Sequence, residues 1–272
     1  TATSWSTGPL PHHSQRSFRV RAWNQSGRSF PTEVLTAGTD HLGAAQVLLV
    51  QAFDRLGRAV KGPENTRDYL ARFGAALRRD ASSSLGFDAA SNEAVKLGRV
   101  GLNGYGAVIW SLGEESTADD TFDSLEQLLV SLYLGTGGSL LVTGAEVGWD
   151  LDALGSTSDR AFFRNTLGAT FVADDAQSYV LWPGIPGTVS EGFPIAVFDT
   201  GAGPTYNVDY PDVLTPTSAN GQVCLRYGNG LGAGVQTVHP TSGARVLVFG
   251  LPLETVLDDD GAALLLQQCV DF

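Results

Sequence analysis

Four runs of the chain are apolar on both alternating faces: AQVLLVQAF (45–53), YGAVIWSLG (105–113), GSLLVTG (138–144) and ARVLVFGLP (244–252). A strand exposed on one side alternates apolar and polar residues, so a strand apolar on both sides must be covered on both. The four runs therefore predict the central strands of a mostly parallel sheet with helices packed on its two faces, a doubly wound α/β fold.

The segments between these runs read as helices. NTRDYLARFGAALRRD places Tyr69, Phe73, Ala76 and Leu77 on one face, and TADDTFDSLEQLLVSLYLG does the same with Phe122, Leu125, Leu129 and Leu132. Thr117 and Asp119–Asp120 suit the start of that second helix, and GTGG suits its end. LDDDGAALLLQQCVDF predicts a C-terminal helix with acids at the positive end of its dipole.

Residues 168–243 differ, with the short strand candidates ATFVAD, SYVLWPG, IAVFD, QVCLRYG and GVQTVHP separated by Gly and Pro. They predict an antiparallel insertion or sheet extension before the last core strand. Residues 1–39 differ again. In SFRVRAW, Phe18, Val20 and Ala22 alternate with Arg19, Arg21 and Trp23, a half-buried strand; the turn NQSGRSFP and the strand TEVLTA then complete a hairpin.

Charge excludes some partners. The 272 residues carry 17 Lys and Arg against 29 Asp and Glu, a net charge of −12, which repels nucleic acid and anionic membrane surfaces. No run approaches the ~18 apolar residues of a membrane span, and the N-terminus has neither a basic nor an apolar signal region. The chain opens on Thr1 and contains no Met, which suggests a processed product or part of something longer. Cys224 and Cys269 are too few for a disulfide framework and wrongly spaced for a zinc knuckle; they pair if the protein is secreted, or remain as two core thiols.

In an open parallel sheet, ligands bind at the carboxyl ends of the strands. There the chain places Asp54 and Arg55, then Glu114, Glu115 and Ser116, then Glu146 in the turn TGAEVG, then Glu254 and Thr255. Converging carboxylates raise one another's pKa and can serve as acid and base or hold a hard cation. The alternative is that each acid caps the helix after its strand. Asp199, Asp209 and Asp212, in FDTGAGPTYNVDYPDVL, are candidates for a structural calcium ion, with Asx-turns as the competing reading and no EF-hand spacing present. No other cofactor is expected. Tyr179, Trp182, Tyr206, Tyr210 and Tyr227 could form a sugar-stacking surface or fill a core.

Two resemblances bear on these residues. FRVRAWNQSGRSFPTEVL resembles the last two strands of a fibronectin type III domain, of which residues 1–39 would be the C-terminal hairpin. A whole sandwich of that type needs about 100 residues. YGAVIWSLGEESTADDTF, GGSLLVTGAEVGWDLDALGSTSDRAFFRNTLGATFVADDA and RVLVFGLPLETV resemble the glutamine-amidotransferase-like, flavodoxin-type domain of large secreted bacterial proteins, over residues 44–272. In such proteins it accompanies type III repeats and sometimes an amidase or a golvesin-type domain.

That resemblance implies a Cys on the turn after the third core strand and a His-x-Glu pair after the last. This chain has Glu146 at the first position and GLPLET, without His, at the second, while His239 precedes the last strand. Thiol chemistry on glutamine is therefore unsupported, and so is a Gly-x-Ser-x-Gly elbow. The expectation is a non-catalytic binding, spacer or assembly module of a larger secreted or cell-surface protein, whose partners are its other domains or subunits, together with carbohydrate or cell wall. The alternatives are a glycan or peptidoglycan hydrolase and a structural component that assembles through its hairpin. If it is a hydrolase, the candidate catalytic residues are Glu146, Glu115, Glu254 and Asp54.

Overall fold

The computed structural model describes residues 4–40, 45–55, 69–79 and 85–272. The N-terminal part supplies β1 (Gln15–Phe18), β2 (Trp23–Asn24), β3 (Gly27–Arg28) and β4 (Leu35–Gly38). Then follow β5 (Val47–Gln51), α1 (Tyr69–Leu77), β6 (Phe87–Ser91), α2 (Asn92–Lys96), β7 (Ala107–Gly113), α3 (Ser124–Gly135) and β8 (Ser139–Gly144). Beyond lie α4 (Thr157–Ala161), β9 (Ala169–Ala173), β10 (Val180–Leu181), β11 (Ala196–Val197) and β12 (Val213–Pro216). The chain closes with β13 (Gly221–Arg226), β14 (Gly232–Val238), β15 (Arg245–Phe249) and α5 (Asp259–Asp271).

Nine strands form one sheet in the order β1-β4-β6-β5-β7-β8-β15-β14-β13. The five in the middle, β6, β5, β7, β8 and β15, are mutually parallel, and both flanks are antiparallel. The doubly apolar runs are β5, β7, β8 and β15, and consecutive residues serve opposite sides. Val47, Leu49, Ile109, Leu141 and Leu247 pack under α1, α5 and part of the insertion. Leu48, Val50, Trp110, Val142 and Val248 pack under α3 and the π-helical segment Phe162–Thr166.

Several expectations change. The fifth parallel strand, β6, has the sequence FDAAS, too short and too polar at Asp88 to announce itself; its last residue, Ser91, is also the N-cap of α2. QVCLRYG and GVQTVHP become β13 and β14 of the main sheet, so they extend it, while β9–β12 and β10–β11 form separate two-stranded sheets. Strand β1 ends at Phe18, and β1 and β4 join the main sheet through the Gly38–Phe87 pair. Cys224 and Cys269 are both free and buried, which removes the disulfide alternative.

The second helix starts later than Thr117 or Asp119–Asp120 suggested. Asp123 is its N-cap, accepting the N–H groups of Leu125 and Glu126, while Glu126 accepts the Asp123 N–H at 2.8 Å. This reciprocal capping box fixes the helix phase. Val130, Tyr133 and Leu134 turn inward, Leu125 and Leu132 are exposed, and Phe122 packs against Trp110 ahead of the helix. Asp123→Ala is expected to cost about 1 kcal/mol, read as a lower urea midpoint at unchanged slope.

Candidate functional site: an acidic edge around Glu146

The strand-end acids come from loops far apart in sequence, and backbone N–H groups set most of their positions. Glu115, after β7, accepts the N–H groups of Asp54 and Arg55, after β5, at 2.6 and 2.9 Å. Glu114 beside it accepts the Asp209 N–H at 2.5 Å, and its carbonyl receives Arg55 Nη1 at 3.2 Å. Asp212 accepts the Gly148 N–H at 2.6 Å. A Cβ on Gly148 would stand 3.2 Å from that carboxylate, so this contact favours glycine.

Glu146 sits where β8 turns sharply into the helical segment that includes Trp149–Leu154. Its φ is +62°, the left-handed region, and Ser116 across the edge has φ +56°. Each non-glycine residue held there costs about 1–2 kcal/mol, so the surrounding hydrogen bonds maintain a strained pair. The Ala145 N–H donates to the Gly113 carbonyl at 2.8 Å and the Asp150 N–H to the Glu146 carbonyl at 2.9 Å. The Ser116 hydroxyl donates to Glu146 Oε2, and the Glu146 side chain is half-buried.

Burial dominates the electrostatics. It pushes Glu114 up to about 8, helped by the charges of Asp209 and Glu146 and opposed by the Asp209 N–H and Arg55. It pushes Glu115 to about 8 as well, against the N–H groups of Arg55 and Asp54. Glu146 is raised by burial and by Asp174 and Asp209, with Ser116 and Arg55 opposing. Asp212, fully buried, is raised well above the ordinary carboxylate range.

The structure thus brings Glu115, Glu146 and Asp54 to one edge, with Asp54 also accepting from Asn92 at 3.2 Å. Glu254 belongs to a different neighbourhood. It is 3 % exposed, its Oε1 accepts the Tyr206 hydroxyl at 2.7 Å, and it helps line a cavity of about 170 Å³ with Arg72 and Leu266 between α1 and α5. Burial moves it to about 7.

The three calcium candidates are not assembled around an ion. Asp199 accepts three backbone N–H groups and the Thr205 hydroxyl, Asp212 holds Gly148, and Asp209 is exposed. Among the described residues no group of three or more His, Cys, Asp or Glu could hold a metal ion. Of the aromatics, Tyr206 and Tyr227 are core residues, Tyr179 is half-buried, and Trp182 and Tyr210 are exposed. His239 lies just past β14 and donates from Nε2 to the Thr166 carbonyl at 2.8 Å, a structural tie. Asp174, just after β9, joins the electrostatics of the edge although the strand-end rule applied to the core strands does not reach it; its position at the end of ATFVAD is the signal that could have found it.

No family model matches the chain, and no curated protein matches it. Among solved structures it is similar to the exo-beta-1,4-mannosidase Op5Man5 from Opitutaceae bacterium strain TAV5, at 12 % identity and TM-score 0.49, over 81 % of this chain and 35 % of that one. The chain therefore spans about a third of that enzyme's length. It is also similar to the mmIFT52 N-terminal domain, at 11 % identity and TM-score 0.48, over 80 % and 93 % of the two chains. A putative GMP synthase protein from Thermoplasma acidophilum is similar at 10 % identity and TM-score 0.48, over 85 % and 96 %. Among the described residues no helix is long and apolar enough to cross a membrane.

Proposed function

We propose that this chain is a non-catalytic recognition module of a larger secreted or surface-attached bacterial protein, binding hydroxyl-rich ligands such as cell-wall glycan at the edge around Glu146. The observation that carries this reading is a division of labour among the acids. Glu114, Glu115, Asp212 and Glu254 are buried and bonded to the chain's own donors, whereas Glu146 stands half-buried in a strained turn, its Oε2 accepting the Ser116 hydroxyl and its Oε1 carrying no hydrogen bond among the described residues. A supported, conformationally fixed carboxylate is a hydrogen-bond acceptor for ligand hydroxyls. Tyr210, exposed beside Asp209, adds an aromatic face.

Glycoside hydrolysis needs two carboxyl groups addressing one bond. Glu115, one strand-end candidate for the second group, is 1 % exposed and bonded to backbone, which favours recognition over catalysis. One observation favours the hydrolase: Glu114, with its pKa near 8, remains protonated at neutral pH close enough to Glu146 for their charges to interact. With Glu146 where a thiol would be needed, amidotransfer from glutamine is set aside.

Calorimetric titration with soluble peptidoglycan fragments and neutral cell-wall oligosaccharides separates the readings. Saturable binding without release of reducing ends is expected, with Glu146→Ala weakening it at least tenfold, about 1.4 kcal/mol. Reducing ends released by the native chain and not by Glu146→Gln would establish the hydrolase instead, and no binding at millimolar ligand would end the recognition reading.

A further inference from the structure

Residues 16–30 are exposed without exception; Arg16–Phe18 belong to the edge strand β1, and residues 19–30 beyond it form an arm whose strands β2 and β3 pair with each other rather than with the sheet. The Ser29 N–H donates to the Ala22 carbonyl and the Thr32 N–H to the Val20 carbonyl, both at 2.9 Å, and Trp23 pairs across the arm with Arg28. Cross-strand partners share a face, so Trp23 and Arg28 lie together, and Arg19 and Arg21 are exposed on the segment that leads into β2. Val20, Trp23 and Phe30 are 68 %, 77 % and 81 % exposed. Large apolar residues gathered on one projecting element mark an interaction surface.

Charge identifies what covers it. Between residues 16 and 30 lie four of the chain's 17 cations and none of its 29 acids. Among the described residues none of these four arginines makes an ion pair. The remainder of the molecule is strongly acidic, with Asp119, Asp120, Asp175 and Asp209 exposed on the loops of the strand-end edge. A free polyanion would be attracted by the arm and repelled by everything around it. Two arms facing each other would oppose like charges. A second copy of this chain offers the complement on a matching scaffold.

We propose that the arm is an assembly element that docks on the acidic strand-end edge of a second copy, its arginines meeting the exposed aspartates while Trp23 and Phe30 bury apolar surface. The inference rests on the reading of that edge as a recognition surface and names one occupant of it. Guanidinium groups suit the contact because their fork pairs with carboxylates in two bonds at once. If the exchange is reciprocal a dimer closes, and if it runs head to tail the assembly grows with concentration.

Light scattering after size exclusion, over a range of concentrations at 50 and 500 mM salt, tests this. A mass above the monomer at low salt, falling toward the monomer at high salt, is expected. The double variant Arg19→Glu/Arg21→Glu and the edge variant Asp175→Lys/Asp209→Lys should each weaken association at least tenfold, and combining the two reversals in one chain should restore it. Trp23→Ser/Phe30→Ser should weaken it at both salts. All these positions are exposed, so unchanged melting curves verify that the variants fold.

A monomer under every condition overturns the proposal, as does association that ignores the arm, or that needs the arm but ignores the edge charges. Glycan titration at concentrations where the chain is monomeric keeps the two readings apart. If the arm variants bind glycan normally while association fails, the assembly alone is lost; if assembly holds and glycan never binds, the glycan reading alone is lost.

Discussion

Replacing Asp199 with Ala is expected to lower the unfolding free energy by about 3–4 kcal/mol, since hydrogen bonds to a charged group contribute about 1.5–3 kcal/mol each and the freed donors regain water only in part. The Asp199 side chain is fully buried. Its Oδ1 accepts the N–H groups of Gly201 and Gly203 at 2.8 Å, and its Oδ2 accepts the Thr205 N–H and hydroxyl at 2.9 and 2.8 Å. The backbone curls closely enough that a Cβ on Gly203 would meet Oδ2 at 2.5 Å. Thermal unfolding should show a drop of roughly 6–16 °C, given about 2–4 °C per kcal/mol for a domain of this size. Asp199→Asn keeps one carbonyl acceptor and should recover about half. A melting point within a degree of the native value for the Ala variant would mean the loop is held by something else.

The second large effect is a stability that falls as pH rises across the neutral range. Burial raises Glu114 and Glu115 to about 8 and Glu254 to about 7, and it raises Asp212 too. Between their ordinary values and these raised ones, the folded state binds more protons than the unfolded state, so the slope of stability with pH is negative. The contribution is complete near pH 4.5 and is lost as pH rises through 7 and 8. A shift of this size amounts to a few kcal/mol per group, about 1.4 kcal/mol for each pH unit, and neighbouring groups share part of it.

The acid limb has the opposite sign. Asp199 is lowered because its four donors outweigh its burial, so its contribution is lost as pH falls through its depressed value. Urea unfolding at pH 5, 7 and 9 should give the highest free energy at pH 5 and a loss of several kcal/mol by pH 9. Glu114→Gln, whose amide oxygen can still accept the Asp209 N–H, should flatten that slope. A flat or rising profile in the native chain would show that these carboxyls ionise without penalty.

The sheet was legible where burial on both sides left an unbroken apolar run, as in VLLV of β5 and VLVF of β15. It was not legible at Phe87–Ser91, where a five-residue strand carries an exposed Asp88 and ends in the cap of the next helix. The start of α3 is not legible because Thr117, Asp119, Asp120 and Asp123 are all competent N-caps, and only the reciprocal bond with Glu126 selects the last.

At the site, the rule that ligands sit at strand carboxyl ends singles out Glu115 and Glu146, and the structure places both just after their strands at that edge. The roles of these acids were hidden because they depend on remote partners. Glu115 is 61 residues from Asp54, and Glu114 is 95 from Asp209. A carboxylate bonded to a backbone N–H looks the same in sequence as one left open. The left-handed conformation of Glu146 was equally invisible, since nothing in its side chain prefers it.

One feature of the sheet governs the order in which the molecule can be made. Strand β15 lies between β8 and β14, pairing Val246 with Leu140 on one side and with Thr237 on the other. During synthesis from the N-terminus, β8 therefore waits as a bare apolar edge while the whole insertion is translated. The sheet becomes continuous only when a strand about 100 residues downstream is threaded beside it. Such late, long-range parallel pairing is slow and leaves the intermediate prone to association. The covalent link through the exposed turn at Pro240–Gly243 consequently matters more to refolding than to the folded state: cut there, the ladders on both sides of β15 hold the pieces together, but once denatured they must find each other as two separate chains.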